Sequence, residues 1–168
     1  TWRQGYLPAG VGWYRKEIEW DPAWKDRKIS ILFDGIYMNS DVWINGFHLG
    51  HHPYGYTPVV YDLTDHLKPG INLIAVRVDN EKVPSGRWYS GSGIYRHAWL
   101  QGVNPVHVAQ WGTHVTTPEV SRDSSTVLAK SEIINETGTL ANVQVQQVIC
   151  DQAGKELVSM SSTTAIAG

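Results

Sequence analysis

The sequence predicts an all-β protein. Of its 168 residues, 42% are hydrophobic, which is enough for a core, and helical periodicity is nearly absent. Short segments rich in Val, Ile, Trp and Tyr recur between turn-forming Gly, Pro, Asn and Asp residues. Eight Trp and eight Tyr against two Phe supply flat apolar faces with polar edges, which suit sandwich cores and also stacking on sugar rings or bases. These patterns favour packed β-sheets.

The first hundred residues contain six candidate strands with turns between them. They read GWYRKEIEW, KISILFDG, MNSDVWING, TPVVYDL, NLIAVRVDN and RHAWLQG. This succession of short strands implies a β-sandwich. Tyr95 and Trp99, where the last strand begins, are expected to pack in its core.

Two connections between these strands have a clear physical basis. Asn45-Gly46 can adopt the positive φ angles of a type I′ turn and would close a hairpin. Either Asp62 or Thr64 can cap one helical turn, which Pro69-Gly70 would end. Two leucines of that turn are expected to pack inward, Leu63 and Leu67.

A domain boundary is expected near Asn104-Pro105, where tryptophan becomes rare and Ser, Thr, Gln and Val take over. Beyond it, four strand-like segments follow at intervals of about 17 residues. They resemble the first half of an immunoglobulin-type sandwich, which usually has about seven strands. We therefore predict a sandwich over residues 1–104 that lacks its first strands, and a partial immunoglobulin-like sandwich over residues 105–168.

Charge and composition exclude several classes of partner. Fourteen basic and sixteen acidic residues give a formal charge of −2 without a run of like charge, which argues against nucleic acid and against an anionic membrane surface. No apolar run reaches the roughly 18 residues of a membrane span. The single cysteine, Cys150, excludes an internal disulfide framework.

The aromatic segment SGRWYSGSGIYRHAWL, residues 85–100, imitates the opening of a nucleotide-binding loop at Gly91-Ser92-Gly93. Arg96 stands where the third glycine of that loop belongs, and neither a helix nor a parallel βαβ unit surrounds it. The glycines are therefore interpreted as a corner between strands.

Neither a metal centre nor a cofactor nor a catalytic residue is predicted. His48, His51 and His52 lie close together, but adjacent histidines on an extended chain point to opposite faces, so an exposed histidine loop is expected. No nucleophile elbow supports a Ser-His-Asp triad. The acids of VDNE, Asp79 to Glu81, could serve glycoside hydrolysis but are better explained as a solvated strand end.

Four segments in order carry a resemblance to a known family. GVGWYRKEIEW, FDGIYMNSDVWINGFHLGHHPYGYTPVVYDLTDHL, GINLIAVRVDN and RWYSGSGIYRHAWL together resemble the sugar-binding domain of glycoside hydrolase family 2, specifically its β-galactosidase-like members. The likeness spans about Gly5 to Gly102, and the tail from Asn104 resembles the immunoglobulin-like domain that follows in that family. The resemblance implies a jelly-roll β-sandwich, then an incomplete immunoglobulin-like sandwich, and in the parent protein a (β/α)₈ barrel that carries two catalytic glutamates.

The resemblance also implies a function: a non-catalytic N-terminal fragment of a retaining β-glycosidase that supports its own barrel and contributes a loop to the sugar pocket. The ligand would be a terminal β-galactoside or a related sugar. The candidate substrate-binding residues are Asn80, Arg87, Trp88 and Tyr89. Arg87 offers a planar fork of donors, and Trp88 or Tyr89 a stacking face. The parent could form a homo-oligomer and is expected in the bacterial periplasm or outside the cell.

Two other functions stay open from the sequence. A free-standing carbohydrate-binding module, built on the same sandwich with an aromatic platform, would bind sugar by itself. A purely structural sandwich would not respond to changes at Asn80, Arg87 or Trp88.

Overall fold

The computed structural model describes residues 10–81 and 91–168, and it confirms the predicted all-β class. The chain divides into two compact units, Thr1–Gly102 and Val103–Gly168. Within the described ranges, no helix has the length and apolar character needed to cross a membrane.

The described strands of the first unit run from β1 to β9. They are β1 (Val11–Glu19), β2 (Lys28–Phe33), β3 (Ile36–Tyr37), β4 (Ser40–Ile44), β5 (Phe47–His52), β6 (Val59–Asp62), β7 (Ile71–Asp79), β8 (Gly93–Ile94) and β9 (Ala98–Val103). They form a four-stranded sheet in the order β1-β7-β4-β5, a three-stranded sheet in the order β6-β2-β9, and a small pair of β3 with β8. Two 3₁₀ turns accompany them, Pro22–Trp24 and Thr64–His66.

The core of this unit follows from the alternation of side chains along each strand. Along β7 and β4, every second residue is buried, because successive side chains point to opposite faces. Four buried residues pair across these two strands, Val42 with Val76 and Ile44 with Ile74. Three buried residues of β2 belong to the same cluster, Ile29, Ile31 and Phe33. Branched and aromatic side chains thus fill the core shared by the two sheets.

The two predicted connections are present. Asn45 and Gly46 have φ angles of 50° and 88°, and they join β4 to β5 as an antiparallel hairpin. The helical turn is the 3₁₀ turn Thr64–His66, and Asp62 Oδ1 accepts a hydrogen bond of 2.8 Å from the Thr64 amide. Leu63 is fully buried and Leu67 packs against the core, as expected.

A network of amide side chains connects these two turns. Asn72, which is fully buried at the start of β7, accepts from the Lys68 amide at 2.9 Å and from Asn45 Nδ2 at 2.8 Å. Its own Nδ2 donates to the carbonyl oxygens of Lys68 at 2.8 Å and Gly70 at 3.0 Å. Asn72 therefore fills all its hydrogen-bonding capacity inside the protein.

Three expectations about this unit are wrong. Tyr95 and Trp99 are 46% and 49% exposed rather than packed in the core. Trp99 lies on β9, at the edge of its sheet, where its indole N–H donates to Asp34 Oδ2 at 2.9 Å. The Tyr95 hydroxyl donates to the Gly55 carbonyl at 2.8 Å. The histidines at 48, 51 and 52 lie on strand β5 and not in a loop, because the Asn45-Gly46 turn folds them back onto β4.

The second unit contains two antiparallel hairpins. Strands β10 (Val106–Val120) and β11 (Ser125–Asn135) form one, and strands β12 (Ala141–Cys150) and β13 (Glu156–Ile166) form the other. Asn135 Nδ2 donates to the Ile166 carbonyl at 2.9 Å and so ties the end of β11 to the end of β13.

Candidate functional site

The end of β7 is joined to its neighbours by backbone hydrogen bonds. The Asp79 amide donates to the Met38 carbonyl at 3.2 Å and to the Asn39 carbonyl at 3.3 Å, and the Asn80 amide donates to the Gly10 carbonyl at 3.0 Å. In return, Asn39 Nδ2 donates to the Asp79 carbonyl at 3.1 Å. This end of the sandwich is therefore held in place on both sides of β7.

Asn80 stands out at this position. It is only 6% exposed, and its side-chain oxygen Oδ1 is buried without a hydrogen-bond partner among the described residues. A buried acceptor without a donor costs about 1–3 kcal/mol, so native proteins keep few of them, and each one calls for an explanation such as a catalytic role or a bound water or ion. Asn80 is the one predicted site residue that lies within the described part of the chain.

Three tyrosines form a contact cluster beside this strand end. The rings of Tyr37 and Tyr56 have centroids 5.4 Å apart, and those of Tyr54 and Tyr56 are 5.5 Å apart. A hydrogen bond of 3.2 Å from the Asn39 amide to the Pro53 carbonyl holds this segment next to the end of β7. Tyr54 and Tyr56 are 55% and 45% exposed, so they offer aromatic surface to a ligand.

The other predicted site residues, Arg87, Trp88 and Tyr89, lie outside the described residues. The tyrosine cluster was not predicted from the sequence. The turn-rich motif PYGYTP, which contains Tyr54 and Tyr56, was the pattern that could have indicated it. Tyr37 pairs with Gly93, so β8 lies against β3, the strand that carries Tyr37 of the cluster.

The acids near Asn80 are engaged in contacts within the chain. Arg77 Nη2 donates to Asp79 Oδ2 at 2.8 Å, and the Glu81 amide donates to Asp79 Oδ1 at 3.1 Å. An ion-paired carboxylate at a strand end agrees with the structural interpretation of VDNE. Across residues 10–81 and 91–168, no group of three or more His, Cys, Asp or Glu side chains is arranged to hold a metal ion.

Tyr61 carries the other buried polar atom without a partner among the described residues, its hydroxyl oxygen. Its ring lies on β6 beside Gly50. Burial raises the pKa of Tyr61 above its usual 10.0, and the negative charge of Asp41 adds to the shift. The folded protein therefore favours the neutral phenol.

Replacing Tyr61 with Phe should reduce the loss of stability at alkaline pH. The pKa of Tyr61 is higher in the folded protein than in the unfolded protein. Its contribution to the free energy of unfolding is therefore complete below pH 10 and is lost as the pH rises through the folded-state pKa. Urea unfolding at pH 8 and pH 11 would measure the loss, with exposed Tyr54→Phe as the control. At pH 8 the free energy of unfolding should stay equal or rise by up to about 1 kcal/mol. An unchanged alkaline loss in Tyr61→Phe would contradict this account.

The fold defines the class of protein: a jelly-roll β-sandwich domain followed by a second β-domain. Residues 6–103 match the model of "Glycosyl hydrolases family 2, sugar binding domain". The chain belongs to glycosyl hydrolase family 2, and its first unit is the sugar-binding domain of that family.

The relatives of the chain carry the names of two enzyme types. It is 48% identical over 160 residues to a β-galactosidase of Bacteroides ovatus, a match that covers 95% of this chain and 19% of that protein. It is 32% identical over 178 residues to a β-glucuronidase of Formosa agariphila, which covers 94% of this chain and 18% of that protein. The chain thus spans about a fifth of the length of these relatives.

A solved structure has the same fold. A family 2 member from Bacteroides cellulosilyticus superposes with a TM-score of 0.92 at 39% identity, over 98% of this chain and 23% of that one. This likeness confirms the predicted sandwich architecture.

Proposed function

We propose that this chain is the non-catalytic N-terminal part of a retaining β-glycosidase, and that it supports the catalytic barrel and completes one side of the sugar pocket. The observation that carries the proposal is the buried Oδ1 atom of Asn80, which has no donor among the described residues. It lies at the end of a strand in a domain whose family is described as sugar-binding. A sugar hydroxyl is a suitable donor for such an oxygen.

The surroundings of Asn80 support this role. Its backbone is held on β7, and the exposed rings of Tyr54 and Tyr56 belong to the segment bonded to Asn39 beside it. A rigid acceptor near aromatic surface is the combination that orients a sugar ring, because the ring has apolar C–H faces and polar hydroxyl edges. Arg87, Trp88 and Tyr89 follow Asn80 closely in sequence and are proposed to complete the same side.

The proposed substrate is a terminal β-galactoside. The match to the β-galactosidase of Bacteroides ovatus, at 48% identity over 160 residues, is longer than the match to a putative β-glucuronidase of Formosa agariphila, at 46% identity over 129 residues, and this longer match supports the galactoside. We also propose that the parent acts in the bacterial periplasm or outside the cell. Cell fractionation of the natural host, followed by detection of the parent protein, would test the location, and recovery only from the cytoplasm would refute it.

Replacing Arg87 with Ala in the full-length parent should lower kcat/KM for an aryl β-galactoside by at least about tenfold, since its planar fork would no longer bind sugar hydroxyls. Exposed Arg122 of the second unit is the matched control, and Arg122→Ala should leave kcat/KM unchanged. The 168-residue chain alone should release no aryl product. An unchanged kcat/KM in Arg87→Ala would limit this segment to scaffolding, and turnover by the isolated chain that a nucleophile-trapping inhibitor abolishes would refute the non-catalytic role.

A further inference from the structure

The hairpin turn between β4 and β5 carries the chemical groups for a modification of the chain by itself. Of the asparagines in the sequence, only Asn45 is followed by glycine. Glycine has no Cβ, so the backbone nitrogen of Gly46 is open to the side-chain carbonyl carbon of the asparagine before it. Both residues are exposed, so water also reaches the turn. Whether the two groups meet depends on how the fold holds the Asn45 side chain.

The folded protein holds the Asn45 side chain with three hydrogen bonds. Its Oδ1 accepts from the Leu73 amide at 3.0 Å, and its Nδ2 donates to the His66 carbonyl at 2.9 Å and to Asn72 Oδ1 at 2.8 Å. The Asn45 amide also donates to the Leu73 carbonyl at 2.8 Å. The side-chain carbonyl carbon must turn toward its own backbone before the Gly46 nitrogen attacks it, and this rotation breaks the side-chain bonds.

The partners of Asn45 are themselves fixed in the first unit. Asn72 is fully buried, and its Oδ1 also accepts from the Lys68 amide at 2.9 Å. Leu73 lies on β7, where it pairs with Glu17 of β1. The Asn45 side chain is therefore released only when the hairpin turn separates from the start of β7, which requires an opening of this part of the fold.

We propose that Asn45 is a deamidation site that the folded first unit suppresses and that unfolding exposes. In the opened chain, the Gly46 nitrogen attacks Asn45 Cγ and loses its proton, the bond from Cγ to Nδ2 breaks, and ammonia leaves. Water then opens the resulting cyclic imide at either of its two carbonyls and yields aspartate or isoaspartate. The reaction involves no oxidation or reduction, and water is its only other reactant.

Neither product fits the native turn. The aspartate product has only acceptor oxygens when ionised, and it would direct them at the His66 carbonyl and Asn72 Oδ1, which are acceptors as well. The isoaspartate product adds a methylene to the backbone of a two-residue turn, whose length sets the register of β4 against β5. Unfolding that lasts long enough for the reaction therefore becomes irreversible, because the modified chain no longer forms the native contacts.

Peptide mass spectrometry of the full-length parent, kept at pH 8 with and without urea above the unfolding midpoint, tests the site. The mass change from amide to acid at Asn45 should accumulate at least about tenfold faster in urea, because only opened chains react. Exposed Asn142 of β12, which precedes valine, is the control and should change little in either condition. Equal rates at Asn45 with and without urea would overturn the proposal.

Two variants separate the chemistry from the restraint. Gly46→Ala should slow the reaction in urea, since its Cβ shields the attacking nitrogen. Asn72→Ala removes one acceptor of the Asn45 side chain and should speed the reaction without urea by at least about tenfold. An unchanged rate in urea for Gly46→Ala would refute the cyclic route, and an unchanged rate without urea for Asn72→Ala would refute the restraint.

Refolding tests the fate of the product. After long exposure to urea and dilution, chains deamidated at Asn45 should be concentrated in the material that fails to refold, compared with a brief exposure that leaves Asn45 intact. Asn45→Asp, which reproduces one product, should unfold at a lower urea concentration than the natural parent. Recovery of deamidated chains in the refolded material, or an unchanged midpoint for Asn45→Asp, would overturn the irreversibility. The mass measurement on the natural parent needs no variant and does not depend on the proposed sugar pocket.

Discussion

Replacing Asn80 with Ala in the full-length parent should lower kcat/KM for an aryl β-galactoside by about 10- to 100-fold. Without Asn80 Oδ1, the sugar hydroxyl would be left in the pocket without its acceptor, which costs about 1–3 kcal/mol, and about 1.4 kcal/mol corresponds to a factor of ten in rate. The substitution removes a buried oxygen that has no donor among the described residues. The free energy of unfolding should therefore change by less than about 1 kcal/mol.

Steady-state kinetics and urea unfolding of the same preparations would measure both effects. Asn104, an exposed residue near the start of the second unit, supplies the control, and Asn104→Ala should alter neither quantity. Asn80→Asp keeps the acceptor oxygen and should retain more activity than Asn80→Ala. Activity equal to that of the natural parent in Asn80→Ala would remove this residue from the pocket.

In contrast to Asn80→Ala, replacing Asn72 with Ala should lower the free energy of unfolding of the first unit by about 3 kcal/mol. Asn72 is fully buried, and its side chain makes four hydrogen bonds of 2.8–3.0 Å. Its removal leaves several buried groups without partners, each of which costs about 1–3 kcal/mol, with partial relief from relaxation.

Urea unfolding followed by tryptophan fluorescence reports on this unit, because Trp111 is the one tryptophan of the sequence beyond Gly102. Asn142→Ala, at an exposed position of β12, should leave the midpoint unchanged. If Asn72→Ala unfolds at the same urea concentration as the natural chain, the amide network is not a main source of stability. The two buried asparagines thus serve as controls for each other, because Asn80→Ala should change kcat/KM and Asn72→Ala should change the free energy of unfolding.

The parts of the fold that depend on neighbouring residues could be predicted from the sequence. The Asn45-Gly46 turn needs positive φ angles that these two residues tolerate, and the turn after Asp62 needs a side-chain acceptor two residues before its amide donor. The alternation of apolar residues likewise located β2 and β7 within a few residues of their ends.

The positions that depend on partners distant in sequence could not be predicted in this way. Trp99 has the size and apolar character of a core residue, but β9 is an edge strand, so its indole lies at the surface beside Asp34. His48 and His51 were expected in a loop, although the predicted hairpin brings them onto β5, and their contact with Asp41 depends on the register of β5 against β4. Burial is decided by which strands become neighbours, and a local pattern contains no information about that choice.

The family and its sandwich were determined by the sequence, because ordered motifs with turn residues at their ends are properties of the chain itself. The role of each individual side chain was decided by the tertiary structure. Asn72, near the start of β7, and Asn80, directly after its end, are both buried, yet one is fully hydrogen-bonded and the other retains a buried oxygen without a donor among the described residues. That difference arises because the Lys68–Gly70 turn folds onto Asn72, whereas Asn80 lies at the opposite end of β7.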